Sequence, residues 1–156
     1  MTEPKHYTEQ ECHKKFAIDT FNLTWQLLDK TDRTEEDDER MVHAAHASRF
    51  HWGEVGTAIH KERGEWQISR VYSVLNRSQQ ALHHARRCLA ICQQHSIADC
   101  DIAFAHEAMA RAYAIAEDSA QCEMHIQLAR KAGQQIEEEE DRNLFLSELE
   151  AIPGYE

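Results

Sequence analysis

The sequence predicts an all-α chain of antiparallel helical hairpins stacked side by side, about seven helices in a single domain over residues 1–156. Three observations predict it. The chain holds only 5 Gly and 2 Pro, and the prolines, Pro4 and Pro153, stand at its two ends. Proline breaks helix interiors and glycine weakens them, so a stretch poor in both and rich in Ala, Leu, Gln, Glu and Arg favours continuous helix. Finally, two central stretches repeat one another after 41 residues.

The first helix opens at Thr8-x-x-Glu11, a capping box in which each side chain satisfies the other residue's free amide, and its apolar stripe is read through Phe16, Phe21, Trp25 and Leu28. Thr34 or Asp38 caps a second helix from about Glu39 through His51, closed near Gly53 or Gly56 by a left-handed glycine. A third helix spans Thr57 to Leu75, with Gly64 as its weak point. Ser78 caps a fourth that runs to about His95. Asp99 or Asp101 caps a fifth ending near Ala116; the sixth follows Glu117-Asp118-Ser119 and closes at Gly133. A shorter seventh covers Glu138 to Glu150. These lengths and turns suit antiparallel hairpins.

The repeat lays Ser69-Arg70-Val71-Tyr72 on Ala110-Arg111-Ala112-Tyr113. Nine residues later Ala81 meets Cys122, then Ala85 meets Ile126 and Cys88 meets Ala129; Ser78 and Ser119, Gln80 and Gln121, and His84 and His125 also coincide. Small residues let two helices approach closely, and the aromatic fills the gap to the neighbouring helix. This large–small–aromatic–small spacing resembles the tetratricopeptide repeat, with hairpins at about 62–95 and 103–134. The period of 41 exceeds the family's 34. The family's early large residue is replaced by Glu65 in one unit and His106 in the other, and its closing proline is absent from both.

The formal charge is −11. That argues against a nucleic-acid coat or a membrane-surface protein. Acidic runs at 35–39 and 137–141 flank a basic island, where six basic residues between Lys61 and Arg87 stand against Glu62 and Glu65 alone. Five cysteines and a polar Met1 to Lys15 stretch lead us to expect free thiols in the reducing cytoplasm. Cys88 and Cys92, four apart on a helix among apolar neighbours, read as buried small hydrophobes.

Histidine is abundant, 11 of 156, and Glu39, His43 and His46 share one face of the second helix. They raise an alternative, a metal-dependent helical-bundle enzyme. The chain lacks the two helical Glu-x-x-His motifs of di-iron bundles, His-Glu-x-x-His and Cys-x-x-Cys, so no metal and no cofactor are expected. No Gly-x-Ser-x-Gly turn or phosphate-cradling glycine loop is present, and no catalytic residue is assigned.

The resemblance implies a concave face built from the first helix of each hairpin. By position it holds Arg63, Trp66, Gln67 and Arg70 from one unit and Phe104, Glu107, Ala108 and Arg111 from the next. Arginine and tryptophan are frequent binding anchors, and Arg70 and Arg111 recur at one repeat position. The expectation is a non-enzymatic module that binds a protein, a peptide or an acidic ligand in this groove, the partner being another protein or a second copy of the chain. An Arg111–Glu107 pair at i, i+4 is the competing structural role for that arginine.

Overall fold

The computed structural model describes residues 2–155. Seven helices follow in order: α1 (Glu9–Asp29), α2 (Glu35–Val55), α3 (Ala58–Val74), α4 (Ser78–Gln94), α5 (Cys100–Ile115), α6 (Ser119–Gln134) and α7 (Glu139–Glu150). No strand occurs among the described residues. Helices α1/α2, α3/α4 and α5/α6 pair as antiparallel hairpins, and α7 packs against α5 and α6. First helices also touch first helices: α1 meets α3, α3 meets α5, and α5 meets α7. The result is a short stack with one face made of α1, α3, α5 and α7.

The 41-residue repeat holds in the backbone of the two hairpin turns. Asn76 and Glu117, one in each hairpin turn, both take a left-handed φ of 59°. Arg77 N–H donates to the Tyr72 carbonyl at 2.9 Å, and Asp118 N–H to that of Tyr113 at 3.0 Å. These six-to-one bonds satisfy carbonyls that the helix end leaves free. The tyrosines themselves are matched: Tyr72 stacks on His84 (5.8 Å, 16°) and Tyr113 on His125 (5.6 Å, 16°). The small residues do what close packing asks of them, since Ala81, Ala85, Cys88, Ala110 and Ala129 are fully buried. Ser69, at the position of Ala110, donates its hydroxyl to the Ala81 carbonyl across the hairpin at 2.8 Å.

Several local expectations need correction. The buried stripe of α1 is Ala17, Thr24 and Leu27, while Phe16 is 47% exposed. The cause is that α1 and α2 bury small side chains where they pair, Ala17 on one and Ala44, Ala45 and Ser48 on the other, and the Ser48 hydroxyl donates to the Ala17 carbonyl at 2.8 Å. A large ring would hold the helices apart. Helix α2 begins four residues early, at Glu35, because Thr34 forms a capping box with Asp37. The acidic run therefore occupies its first turn, where carboxylates oppose the positive end of the helix dipole. Ser78 is the first residue of α4 rather than its cap, and Asp99, at the cap position of α5, instead accepts the Glu137 N–H at 3.1 Å.

The glycines act by size. Gly56 is extended, at φ −93°, and a Cβ there would lie 2.6 Å from the Trp52 carbonyl oxygen. Gly133 lies within α6 under the ring of Phe145, where a Cβ would come within 2.3 Å of Cε1. The absence of a side chain lets α7 dock, with Phe145 and Leu149 fully buried. Likewise Gly64 is no weak point of α3: it admits the Arg49 side chain, whose Cδ would lie 2.9 Å from a Cβ.

Candidate functional site

Helices α3 and α5 carry the groove residues expected from the sequence, but in two different chemical states. Arg70 and Arg111 face inward upon one carboxylate, Glu107, which is 1% exposed. Arg111 grips it through Nε at 2.8 Å and through Nη2, Arg70 approaches at 3.8 Å, and Trp66 Nε1 donates to the other oxygen at 3.3 Å. Arg70 also reaches Glu148 of α7 at 3.5 Å. Burial, then the neighbouring Arg111 charge, lowers the Arg70 pKa, yet a guanidinium stays charged at any cellular pH. Two cations against two carboxylates leave this cluster neutral. The recurrence of arginine at one repeat position thus has an internal structural partner, Glu107. Gln67 is fully buried too, and its amide donates to the Phe21 carbonyl of α1 at 3.1 Å, which ties the first hairpin to the second.

Nearer the start of α3 the face is open. Arg63, its side chain 58% exposed, forms a bidentate pair with Asp101 of α5 (2.9 and 3.1 Å). Behind that pair lies a cavity of about 250 Å³ walled by Phe21, Trp66 and Phe104, with Glu62 and Asp101 in its lining. The rings brace one another: Trp66 lies 5.7 Å from Trp25 and 5.6 Å, edge-on, from Phe104, which meets Phe145 at 4.9 Å. A second hollow of about 180 Å³ adjoins it, sharing Phe21 and Arg63 and bounded by Ile18, Trp52 and His60. There Trp52 stacks flat on His60 at 4.0 Å.

Glu62 is the unusual member. It is 1% exposed, accepts the Cys88 thiol at 3.1 Å through Oε1, and leaves Oε2 without a partner. Burial, and then its contact with the Asp101 carboxyl, pushes its pKa up to about 9. It therefore holds a proton at neutral pH. The sequence reading passed over Glu62, Asp101 and Phe21. The available signal for Glu62 was register, since positions 62, 65, 69 and 72 all fall on the buried side of α3, where a carboxylate is out of place.

A third cluster lies between α2, α3 and α4. Glu65, 3% exposed, accepts Arg49 Nε and Arg87 Nε at 3.1 Å each and His84 Nδ1 at 2.6 Å. Burial raises its pKa, but the bonds from His84 and Arg87 and the adjacent positive charge override that and hold it at about 2. Next to it His46 Nε2 meets the Tyr72 hydroxyl at 2.8 Å, and burial lowers the pKa of His46. Glu39 and His43 are exposed, so the three second-helix residues do not converge. Among the described residues no group of three His, Cys, Asp or Glu side chains is placed to hold a metal ion. The described cysteines are all unpaired, with Cys88 and Cys92 buried. No helix among the described residues is long and apolar enough to cross a membrane.

No protein-family model matches the chain, and no curated protein or solved structure matches it.

Proposed function

We propose that the chain is a divergent tetratricopeptide-like, non-catalytic module that binds an extended segment of a partner protein along the face formed by α1, α3, α5 and α7. The observation that carries this reading is the pair of adjoining hollows on that face, walled by Phe21, Trp66, Phe104 and Trp52 and left unfilled by the chain's own side chains. Rigid aromatic walls give apolar contact at small conformational cost. The solvent-exposed Arg63–Asp101 pair at the rim supplies hydrogen-bonding groups for a peptide backbone. An acidic ligand draws less support, because Arg70 and Arg111 already share Glu107. The partner is another protein of the same compartment, which we take to be the cytoplasm.

The test is selection of peptides from a random displayed library, followed by titration of the enriched peptides against wild type and two variants. Ile18→Ser with Phe21→Ala should weaken binding at least tenfold, and Phe50→Ser, on the exposed surface of α2, should leave it unchanged. Failure to enrich any peptide, or loss of binding with Phe50→Ser alone, overturns the reading.

A further inference from the structure

The cavity behind Arg63 has a chemistry of its own, and its most informative atom is Glu62 Oε2. A carboxyl oxygen in a residue 1% exposed, with no hydrogen-bond partner, is costly. Glu62 is among the residues that line an open hollow, with Oε2 itself buried at its wall and the Asp101 carboxyl nearby. A second carboxylate, Asp101, lines the same hollow, and among the described residues it pairs with Arg63 on the solvent side. The remaining walls are the rings of Phe21, Trp66 and Phe104, whose faces attract positive charge. Two acids, one bound cation, an unpartnered oxygen and three aromatic walls describe a receptor for a cation with donors at its tip and an apolar stem.

We propose that this cavity takes the side chain of a lysine from the partner segment, its ammonium donating to Glu62 Oε2 and Asp101 while its methylenes lie between Phe21, Trp66 and Phe104. The proposal rests on the peptide-binding reading above and names what that peptide must carry. Ammonium suits the site better than guanidinium, because a compact point charge with three donors fits between two carboxyls flanked by aromatic rings. The 250 Å³ of space is ample for a butylammonium stem.

Occupation has a proton cost with a definite sign. The groups facing Glu62 are Cys88 and Cys92 from α4, Asp101 from α5, and on its own helix the neighbouring Arg63. Burial, and then the Asp101 carboxyl, keep the Glu62 proton in place up to about pH 9. An ammonium displaces that proton, so its binding strengthens as pH rises and levels off once Glu62 is ionised. Linkage makes the gain about tenfold from pH 7 to 8 and about fivefold from pH 8 to 9. A lysine-type amine, with its pKa near 10.4, stays charged across that range.

The probe is n-butylammonium, titrated at pH 7, 8 and 9 while the indole N–H of Trp66 is followed by NMR, with n-butanol as an uncharged control of equal length. We expect butylammonium to tighten about tenfold from pH 7 to 8 and about fivefold from pH 8 to 9, and butanol to show no such trend. Glu62→Gln should abolish the pH dependence and bind the amine about 100-fold less well at pH 9. Arg63→Ala should tighten it by freeing Asp101. Equal binding of amine and alcohol, a flat pH profile, or an unaltered profile in Glu62→Gln overturns the proposal. Selected peptides distinguish this from failure of the broader reading. If they bind without dependence on any lysine and the amine fails, the cavity assignment falls and the peptide groove stands. If the amine binds as described and no peptide enriches, the groove reading falls and the ammonium site stands.

Discussion

Removal of one buried charge, by Glu65→Gln, tests whether the junction of α2, α3 and α4 is held electrostatically. The native carboxylate is 3% exposed and accepts from Arg49, Arg87 and His84 at 3.1, 3.1 and 2.6 Å. Its pKa of about 2, against an ordinary 4.5, converts at 1.36 kcal/mol per unit into about 3 kcal/mol favouring the folded state. Arg87 is half exposed, so solvent screens part of that and ~2–3 kcal/mol is the expected loss at pH 7. The pH window follows from the direction of the shift. Between pH 4.5 and 2 the unfolded chain binds more protons than the native one, so the carboxylate's contribution is complete above 4.5 and vanishes as pH falls through 2. Half-buried His46 and His106 and buried His125, whose pKa values are lowered chiefly by desolvation, also destabilise the fold on acidification, but from about pH 6.5 downward. His106 and His125 do so equally in variant and wild type, whereas His46, whose pKa the Glu65 charge raises, costs the variant somewhat more. Urea unfolding followed by circular dichroism at pH 7, 5 and 3 measures the difference. The gap should hold or widen slightly from pH 7 to 5 and narrow at pH 3. A gap under about 1 kcal/mol at pH 7, or one independent of pH, refutes the argument.

Two further predictions concern the charge cluster around Glu107 and the packing of α7 on α6. The double change Arg70→Ala with Arg111→Ala strands Glu107 without either cation and should cost about 3–5 kcal/mol in urea unfolding; an unchanged midpoint would show that the cluster contributes nothing. Gly133→Ala should lower stability by roughly 1–3 kcal/mol through the clash with the Phe145 ring, although alanine alone would favour a helix interior by about 1 kcal/mol. A rise in melting temperature would place α7 away from Gly133.

The helices and hairpins were legible because their signals are local. Turn residues, caps and the 41-residue spacing fix where the chain reverses, and Tyr72 and Tyr113 duly stack on matching histidines. What escaped the sequence depends on the neighbour each residue meets. Gly133 looks like a helix stop until Phe145, twelve residues on, is seen against it. Phe16 looks like core until α1 is found to pack on α2 through alanine and serine. The arginines are the instructive case. Their repetition at 70 and 111 is real, but a repeat position records which way a side chain points, and the hairpin geometry aims both at Glu107. Only Arg63, seven residues before Arg70, reaches the rim of the open cavity. The same logic applies to the acids. Glu62, Glu65 and Glu107 are all nearly inaccessible, and what separates them is how many donors each has found. Glu65 has three and sits at a depressed pKa, Glu107 has two arginines and an indole, and Glu62 has a thiol and an oxygen to spare. Of the three, the acid whose hydrogen bonding is incomplete is the one that lines a hollow, and that coincidence is why the proposed ammonium site is built on Glu62.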